Sequence, residues 1–458
     1  MRHVCIVVDN PLRDLDGAVL LARRLTEAGC KATLVPMYDQ GFVIPALRPD
    51  MVVLNYFRKN NIELVRLYKK LGILVAVVDT EGFTTTPERY ANSIHSTGYL
   101  DLIDLYCVWG KSQFDAVAAV GEIPREKLFL TGCQRNDFAA LPWRRALRSY
   151  KTPGYILVNT NFPIANPKFS SGSEAEVKAV LAINPDRAAA ERFVAESRRA
   201  CEDLRGVILR LAQDFPGQMF VVRPHPFESL DIYEPLAELP NVEVLQEGTS
   251  FEWLAHAQLL LHLNCMTSIE AAMLGVPAFS LEWLNSDVLR LKTAGEVSVS
   301  VASYDELSRL MLAHLSGKES PALLQKQQQL IIDSFHEIDG KASDRICDAI
   351  SRCFAFPAAL THPSSSSLER GVRAKAVHLM RRLFGLSAAV RLGTALWGDV
   401  YSAKRETKML RIGVVQNIVD RLDGAAPLTQ KLVARPALGV RAADRRLGGA
   451  TAISIGYE

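Results

Sequence analysis

The chain has 458 residues, of which 48% are hydrophobic and 22% are charged, and its formal net charge at pH 7 is +3. This composition excludes a disordered chain, and no apolar run reaches the roughly 20 residues that a membrane-spanning helix needs. The charge is uneven, because the residues from Leu360 onward contain 16 Lys and Arg but only 7 Asp and Glu. We therefore expect two folded domains followed by a basic extension.

Eight cysteines are scattered along the chain, and none forms a CxxC pair. Such scatter favours a reducing compartment and argues against structural zinc. The N-terminal apolar run is closed by Asp9 without a small-residue cleavage site, so it predicts a first strand and not a signal peptide. We expect a cytoplasmic protein that uses no metal and no other cofactor and binds no nucleic acid.

Residues 1–148 alternate short apolar runs with helical periodicity. Helices are predicted at 15–30 and 62–72, and strands at 3–9, 31–37, 51–56, 73–79, 102–110 and 127–132. The strand segments are continuously apolar, as in parallel strands covered by helices on both faces. They predict a doubly wound α/β domain.

Residues 149–355 repeat this pattern after a charged linker that contains Pro153 and Gly154. Strands are predicted at 155–162, 218–223, 242–248, 259–265 and 276–282, and helices at 185–215, 251–258, 266–275 and 304–354. Two such Rossmann-type domains facing a cleft would bind a ligand at the carboxyl ends of their strands. Residues 356–458 are predicted to form a basic, partly helical extension that is poorly ordered from about Leu432.

The strongest chemical signal is the sequence Arg223-Pro224-His225-Pro226 directly after a predicted strand. Because two prolines cannot continue a central strand, the chain must leave the sheet at its carboxyl end. A guanidinium suits a bidentate contact with phosphate, and an imidazole can donate to a phosphate oxygen. The alternative is a turn fixed by proline with an arginine on the surface.

A second signal lies in the segment LLLHLNCMTSIEAAMLGVP, where a strand ends at Asn264 and a helix begins near Thr267 and Ser268. Free backbone N–H groups at a helix start, with hydroxyls beside them, can bind an anion. Glu270 is placed to reach a sugar hydroxyl. The alternatives are helix capping by the hydroxyls and a favourable interaction of Glu270 with the helix dipole. His262 in the strand is predicted to be a partly buried histidine with satisfied hydrogen bonds.

Two further polar segments follow predicted strands. The sequence Asp79-Thr80-Glu81-Gly82 offers two carboxylates, one of which could act as a general base toward an acceptor hydroxyl. The alternative is ordinary turn chemistry. In the second domain Asn159, Thr160 and Asn161 end the first strand, where they would bind a donor or cap a loop.

Together, the segments DTEG, WGKSQFD, LTGCQRND, ILVNTNF, RPHP and LHLNCMTSIEAAMLGVP resemble bacterial surface carbohydrate biosynthesis proteins, which are similar to capsule-type glycosyltransferases of the GT-B fold. The resemblance covers about residues 1–350. It implies a metal-independent glycosyltransferase acting in the assembly of lipopolysaccharide or capsule. The implied donor is a nucleotide-sugar, with a CMP-sugar such as Kdo or a nonulosonate favoured, and the implied acceptor is a hydroxyl of a glycan or lipid-linked glycan.

The resemblance also implies roles for individual residues. RPHP is similar to the His-Pro motif of bacterial sialyl- and Kdo-transferases, so Arg223 and His225 would hold the donor phosphate, assisted by Thr267 and Ser268. The sequence departs from the family at Met266, where a further hydroxyl often stands.

The segment DTEG resembles the acidic-Gly motif of these enzymes, which implies that Glu81 or Asp79 is the catalytic base. Two alternative functions stay open: a transferase that uses a CDP-polyol, and a non-catalytic GT-B-like scaffold. The acidic pair favours an enzyme over a scaffold.

Residues 368–397 combine six Lys and Arg with a set of large apolar side chains at helical spacing. Such a segment can lie on an anionic membrane surface, which would place the protein on the inner face of the plasma membrane. Equally, its apolar face can pack on the catalytic domains. Both interpretations stay open.

Overall fold

The computed structural model describes residues 1–80, 86–169, 173–181, 186–317, 325–355, 407–437, 449–450 and 452–458. It divides into two compact units, which are Met1–Ala146 together with Leu330–Glu458, and Leu147–Gln329. Within these described ranges, no helix has the length and apolar character needed to cross a membrane.

Sixteen strands occur in the described residues. In chain order they are β1 His3–Val8, β2 Lys31–Pro36, β3 Met51–Leu54, β4 Leu74–Val78, β5 Leu105–Val108, β6 Leu128–Leu130, β7 Tyr155–Asn159, β8 Phe220–Arg223, β9 Val242–Val244, β10 Ala257–His262, β11 Ala278–Leu281, β12 Val299–Val301, β13 Leu410–Arg411, β14 Leu432–Pro436, β15 Gly449–Ala450 and β16 Ile453–Tyr457.

The same residues form fifteen α-helices. They are α1 Pro11–Glu27, α2 Gln40–Leu47, α3 Ile62–Lys70, α4 Pro87–His95, α5 Lys111–Val120, α6 Ser173–Leu181, α7 Arg187–Asp214, α8 Glu234–Ala237, α9 Ser250–Leu254, α10 Thr267–Leu274, α11 Lys292–Glu296, α12 Tyr304–Leu315, α13 Gln325–Phe335, α14 Ala342–Ala355 and α15 Ile412–Ala425.

The first unit is built on an eight-stranded sheet in the order β14-β16-β2-β1-β3-β4-β5-β6. Strands β1 to β6 are parallel, and they coincide with the six strands predicted from apolar runs. Their side chains are almost fully buried under the helices, which explains why the runs are continuous rather than alternating. The predicted α/β class with parallel sheets is confirmed.

The C-terminal residues extend this sheet, which corrects the expectation of a poorly ordered end. Strand β16 pairs antiparallel with β2, and β14 pairs antiparallel with β16. The apolar residues Leu432, Ile453 and Ile455 are buried there, and α15 buries Val415, Ile418, Val419 and Leu422. Burial of these side chains joins the chain end to the first unit.

Helix α14 also belongs to the first unit, whereas the sequence placed residues up to 355 in the second domain. The carboxylate of Asp137 caps this helix, because it accepts hydrogen bonds from the backbone N–H groups of Ala342 at 2.7 Å and Ser343 at 2.8 Å. An ion pair of 2.6 Å between Arg24 and Asp344 adds a contact with α1. The chain therefore returns to its first unit before the basic residues 356–406, which lie outside the described residues.

The second unit contains a six-stranded sheet in the order β12-β11-β10-β7-β8-β9, with all strands parallel. Strand β12, which the sequence analysis did not predict, completes it. The chain builds outward from β7 in one direction to β9, and then returns to the other side of β7 to add β10, β11 and β12. Ligands bind at such reversal points in doubly wound sheets, beyond the carboxyl ends of the strands.

Candidate functional site

Three strands end at the same level where the sheet of the second unit reverses. Asn159, the last residue of β7, pairs in register with His262 of β10 on one side and Arg223 of β8 on the other. The loops that follow these strands carry most of the predicted donor-binding residues. The structure thus brings the polar segments of 159–161, 223–225 and 264–270 to one edge of the sheet.

The loops after β7 and β10 are joined by side-chain hydrogen bonds. The amide of Asn159 donates to the hydroxyl of Thr267 at 2.8 Å, and the amide of Asn161 donates to the backbone carbonyl of Asn264 at 3.3 Å. Within the described residues, the buried amide oxygens of Asn159 and Asn264 accept no hydrogen bond. A buried acceptor without a donor is costly, so these two oxygens are suited to bind hydroxyl or N–H groups of a ligand.

Arg223 is buried at the end of β8, with 7% of its surface exposed. Its guanidinium donates to the backbone carbonyl of Gly248 at 2.6 Å, and its Nε has no hydrogen-bond partner among the described residues. Burial lowers the pKa of Arg223, and the carboxylate of Glu270 opposes this shift. The alternative of a surface arginine beside a turn does not fit this burial.

His225 is held in one orientation by the turn that follows it. The backbone N–H of Phe227 donates to Nδ1 of His225 at 3.2 Å. Because Nδ1 accepts, the neutral ring carries its proton on Nε2, which makes Nε2 the donor of this imidazole. A donor of this kind can bind a phosphate oxygen.

The hydroxyls near the start of α10 have protein partners. The Thr267 hydroxyl accepts from Asn159 and donates to the sulfur of Cys265 at 3.1 Å. Ser268 is fully buried, and its hydroxyl donates to the backbone carbonyl of Ala294 at 3.2 Å. Neither hydroxyl caps the helix, since Met266 at the cap position makes no side-chain bond. The geometry therefore gives Ser268 a packing role, and it leaves Thr267 and Glu270 at the edge of the sheet.

A pocket of about 180 Å³ opens beside these loops. Its walls are mostly apolar and come from the loops after β7, β10 and β11 and from α7. The residues around it are Asn161, Pro163, Ile164, Phe193, Ser197, Asn264, Val288, Leu289, Arg290 and Leu291. An apolar pocket with a few amide groups is typical of small-molecule sites.

Sequence reasoning missed Glu228, a fully buried carboxylate in the same region. Its Oε1 accepts from the Thr160 hydroxyl at 2.7 Å and from the backbone N–H groups of Phe162 and His225, each at 3.0 Å. Its Oε2 accepts from the Tyr233 hydroxyl at 2.6 Å. Burial raises the pKa of Glu228, and the donors around it oppose that shift. The only signal in the sequence was an acid three residues after His225.

In the first unit, Asp79 lies in a buried polar cluster at the end of β4. The Tyr90 hydroxyl donates to its carboxylate at 3.3 Å and lies 3.2 Å from the Tyr106 hydroxyl. The Trp109 indole donates to the backbone carbonyl of Asp79. Burial, reinforced by the Asp79 charge, raises the pKa of both tyrosines well above their ordinary value. Asp79 thus anchors the strand end, and Glu81 lies outside the described residues.

Comparison with known proteins gives a similarity of fold only. No protein family model matches the chain, and no curated protein matches it. Among solved structures, UDP-GlcNAc 2-epimerase of Methanocaldococcus jannaschii in complex with UDP-GlcNAc and UDP is 13% identical, covering 76% of this chain and 99% of its own, with a TM-score of 0.49. UDP-GlcNAc 2-epimerase of Neisseria meningitidis bound to UDP-GlcNAc is 12% identical, with 77% and 100% coverage and a TM-score of 0.47.

The wall teichoic acid polymerase TagF with CDPG is 13% identical, covering 77% of this chain and 88% of its own, with a TM-score of 0.44. At such identities and TM-scores a similarity does not assign a function, which has to come from the geometry of the site.

Proposed function

We propose that this chain is a glycosyltransferase of bacterial surface polysaccharide assembly, and that its second unit binds a nucleotide-activated donor at the carboxyl edge of the sheet. The observation that carries the proposal is that β10, β7 and β8 end side by side, in register, at the carboxyl edge of the sheet. The same edge of the sheet carries the buried Arg223, the oriented His225, and the amide oxygens of Asn159 and Asn264, which accept no hydrogen bond from the described residues.

The phosphate of the donor would be bound by Arg223 and His225. A guanidinium and an N–H donor can stabilise the negative charge that develops on a departing phosphate. The backbone N–H groups of Ser268 and Ile269 already donate to the carbonyls of Cys265 and Met266, so the start of α10 would assist through the helix dipole alone. The protein groups present thus fit the chemistry of a phosphate leaving group.

The nucleoside of the donor would occupy the pocket beside Asn161 and Asn264. Its apolar walls suit the faces of a base, and the amide oxygen of Asn264 suits an N–H or hydroxyl donor. Glu270, of which only 9% is exposed, would accept a hydrogen bond from a ribose hydroxyl. We assign Ser268 and Thr160 to packing and positioning, because both hydroxyls are buried and bonded to the protein.

The base that deprotonates the acceptor hydroxyl is proposed to be Glu81. The resemblance of DTEG to an acidic-Gly motif supports this assignment, and the buried contacts of Asp79 favour Glu81 over its neighbour. General base catalysis by a carboxylate needs a side chain that reaches the acceptor, which an anchored group such as Asp79 does not readily do.

Thermal unfolding of the full chain with CMP, CDP, UDP and GDP tests the proposal. A nucleotide at 100 times its Kd stabilises the folded state by about 2.7 kcal/mol, so a binding nucleotide raises the Tm. We expect a shift with at least one pyrimidine nucleotide. If none of the four shifts the Tm, the proposal is wrong.

The activated donor then distinguishes the type of transfer. Incubation with a CMP-sugar and with a CDP-polyol, followed by mass spectrometry of the acceptor, shows whether a sugar or a polyol phosphate has been added. We expect a sugar increment. A polyol phosphate increment would show the alternative transferase, and nucleotide binding without any transfer would show a scaffold.

A further inference from the structure

We propose that Glu228 is a positioning residue that fixes the two donor-binding loops of the second unit relative to each other, an inference that rests on the proposed function for its role in donor binding. Its carboxylate is 0% exposed and lies between the loop after β7 and the loop after β8. No ligand group can reach it without displacing protein donors. It therefore acts through the residues that it holds.

The four hydrogen bonds of Glu228 come from three separate places in the chain. Thr160 and Phe162 belong to the loop after β7, His225 belongs to the loop after β8, and Tyr233 immediately precedes α8. Thr160 lies 68 positions before Glu228 in the chain, so the carboxylate joins segments that the sequence keeps far apart. Backbone bonds from Lys168 to Phe227 at 2.8 Å and from Ser229 to Asn166 at 3.1 Å also join the two loops, and the carboxylate of Glu228 adds the side-chain link nearest His225.

The orientation of His225 depends on this arrangement. Glu228 accepts from the backbone N–H of His225, and the backbone N–H of Glu228 donates to the His225 carbonyl at 2.8 Å. These two bonds close the short turn in which Phe227 donates to Nδ1 of His225. If the turn opens, Nδ1 loses its donor and the ring loses its preference for a proton on Nε2. The proposed phosphate donor would then be lost without any change to His225 itself.

The positioning role requires the length and shape of the Glu228 side chain and does not require its negative charge. A glutamine has the same shape, and its single oxygen can still accept from Thr160, Phe162 and His225 while its amide faces the Tyr233 oxygen. An aspartate keeps the charge but is shorter by one methylene, so it cannot reach both loops. A positioning role therefore ranks the variants as Glu228→Gln above Glu228→Asp, whereas a role of the charge reverses this order.

The experiment compares Glu228→Gln, Glu228→Asp and Glu228→Ala in the full chain, with Glu238→Ala as a control at an exposed acid of the same unit. Two properties are measured: the Kd of the nucleotide that gives the largest Tm shift, and the tautomer of His225 from its ring ¹⁵N resonances, assigned with His225→Ala. The second property needs no ligand. It tests Glu228 even if the proposed function fails.

We expect Glu228→Gln and Glu238→Ala to keep the Kd of the wild type and the Nε2–H tautomer. Glu228→Asp and Glu228→Ala should weaken nucleotide binding by about tenfold or more and give mixed tautomers, as expected when a hydrogen bond to a charged group is lost. If Glu228→Ala does not fold, Glu228→Asp decides the question. A folded Glu228→Asp protein with the Kd and tautomer of the wild type would overturn the proposal, as would a ranking of aspartate above glutamine.

Discussion

The ammonium group of Lys408 forms an ion pair with the carboxylate of Asp9, although 399 positions separate the two residues. The side chains are only 12% and 10% exposed, and the ammonium lies 5.4 Å from the centre of the Tyr38 ring. Asp9 directly follows β1, at the carboxyl end of the sheet. The described C-terminal residues, 407–437 and 452–458, are therefore part of the first unit.

Arg23 provides the sharpest test of this integration. It is 2% exposed and pairs with Glu27 at 2.8 Å and with Asp423 of α15 at 2.7 Å. Arg23→Ala would leave Asp423 without its cation, whereas Glu27 keeps its ion pair with Arg24 at 2.7 Å, and breaking a buried pair costs about 3–5 kcal/mol. We expect a loss of that order in the free energy of unfolding, measured by urea denaturation. Arg2→Ala is the matched control, because the pair of Arg2 with Asp50 is largely exposed and should change stability by less than about 1 kcal/mol.

A second prediction separates the two acids of the DTEG segment. Glu81→Gln should abolish turnover and keep nucleotide binding, because an amide preserves shape but takes no proton. Asp79→Asn should instead lower the free energy of unfolding by about 1–3 kcal/mol, because the Tyr90 hydroxyl loses a charged acceptor. Turnover and denaturation are measured for both variants. Full turnover by a folded Glu81→Gln protein would move the base elsewhere.

His225 is predicted to contribute directly to donor binding. His225→Ala removes the Nε2–H donor but leaves the backbone bond to Glu228 in place, so the turn should persist. Losing a charge-assisted contact with phosphate should weaken nucleotide binding by about 1.5–3 kcal/mol, which titration calorimetry can measure. Arg187→Ala, at an exposed position of α7, serves as the control. An unchanged Kd in folded His225→Ala would contradict the role.

The sequence predicted the elements that a local pattern of apolar residues indicates. Continuous apolar runs identified β1 to β6, since each run is buried by neighbours close in the chain. Strands β14 and β16 were not predicted, because β16 pairs with β2, more than 400 positions earlier, and β14 in turn pairs with β16. Nothing local in 432–436 indicates this pairing. Strand β12 is only three residues long. Nonlocal pairing is not encoded in periodicity.

The candidate site shows the same limit. Strand ends and proline placed Arg223 and His225 at the carboxyl edge, because both signals are local. Glu228 was overlooked because its donors arrive from Thr160 and Tyr233, and such convergence appears only in the folded chain. The burial of Ser268 was equally invisible, since its partner Ala294 lies 26 positions away.

The basic segment 368–397 lies outside the described residues, and its membrane role stays a prediction. Truncation is a poor test, because it would remove β14, β16 and α15 from the first unit. Arg381→Gln combined with Arg382→Gln keeps those elements. Each Lys or Arg near an anionic surface contributes about 1 kcal/mol, so the double variant should bind anionic vesicles clearly less well in co-sedimentation. Arg187→Gln combined with Arg192→Gln is the control variant. If both double variants bind anionic vesicles equally well, the membrane role is wrong and the segment packs on the folded domains instead.

His262 should make the second unit sensitive to acid. The ring is fully buried, Nδ1 accepts from the backbone N–H of Cys265 at 3.4 Å, and Nε2 lies 2.8 Å from the Ser298 hydroxyl, which itself donates to the carbonyl of Ala294 at 2.7 Å. The neutral ring is thus fully satisfied, as the sequence predicted. Burial lowers the pKa of His262 from 6.5 to about 4.

A histidine whose pKa is lower in the folded state stabilises the fold above its unfolded pKa of 6.5, and this stability is lost as the pH falls toward 4. A shift of this size corresponds to about 3 kcal/mol over that window. We expect the free energy of unfolding of the wild type to fall faster with acid than that of His262→Asn, which has no titrating ring. Because all other groups titrate in both proteins, the difference between the two slopes isolates His262. Parallel pH profiles would show that the folded protein binds the His262 proton as readily as the unfolded chain does.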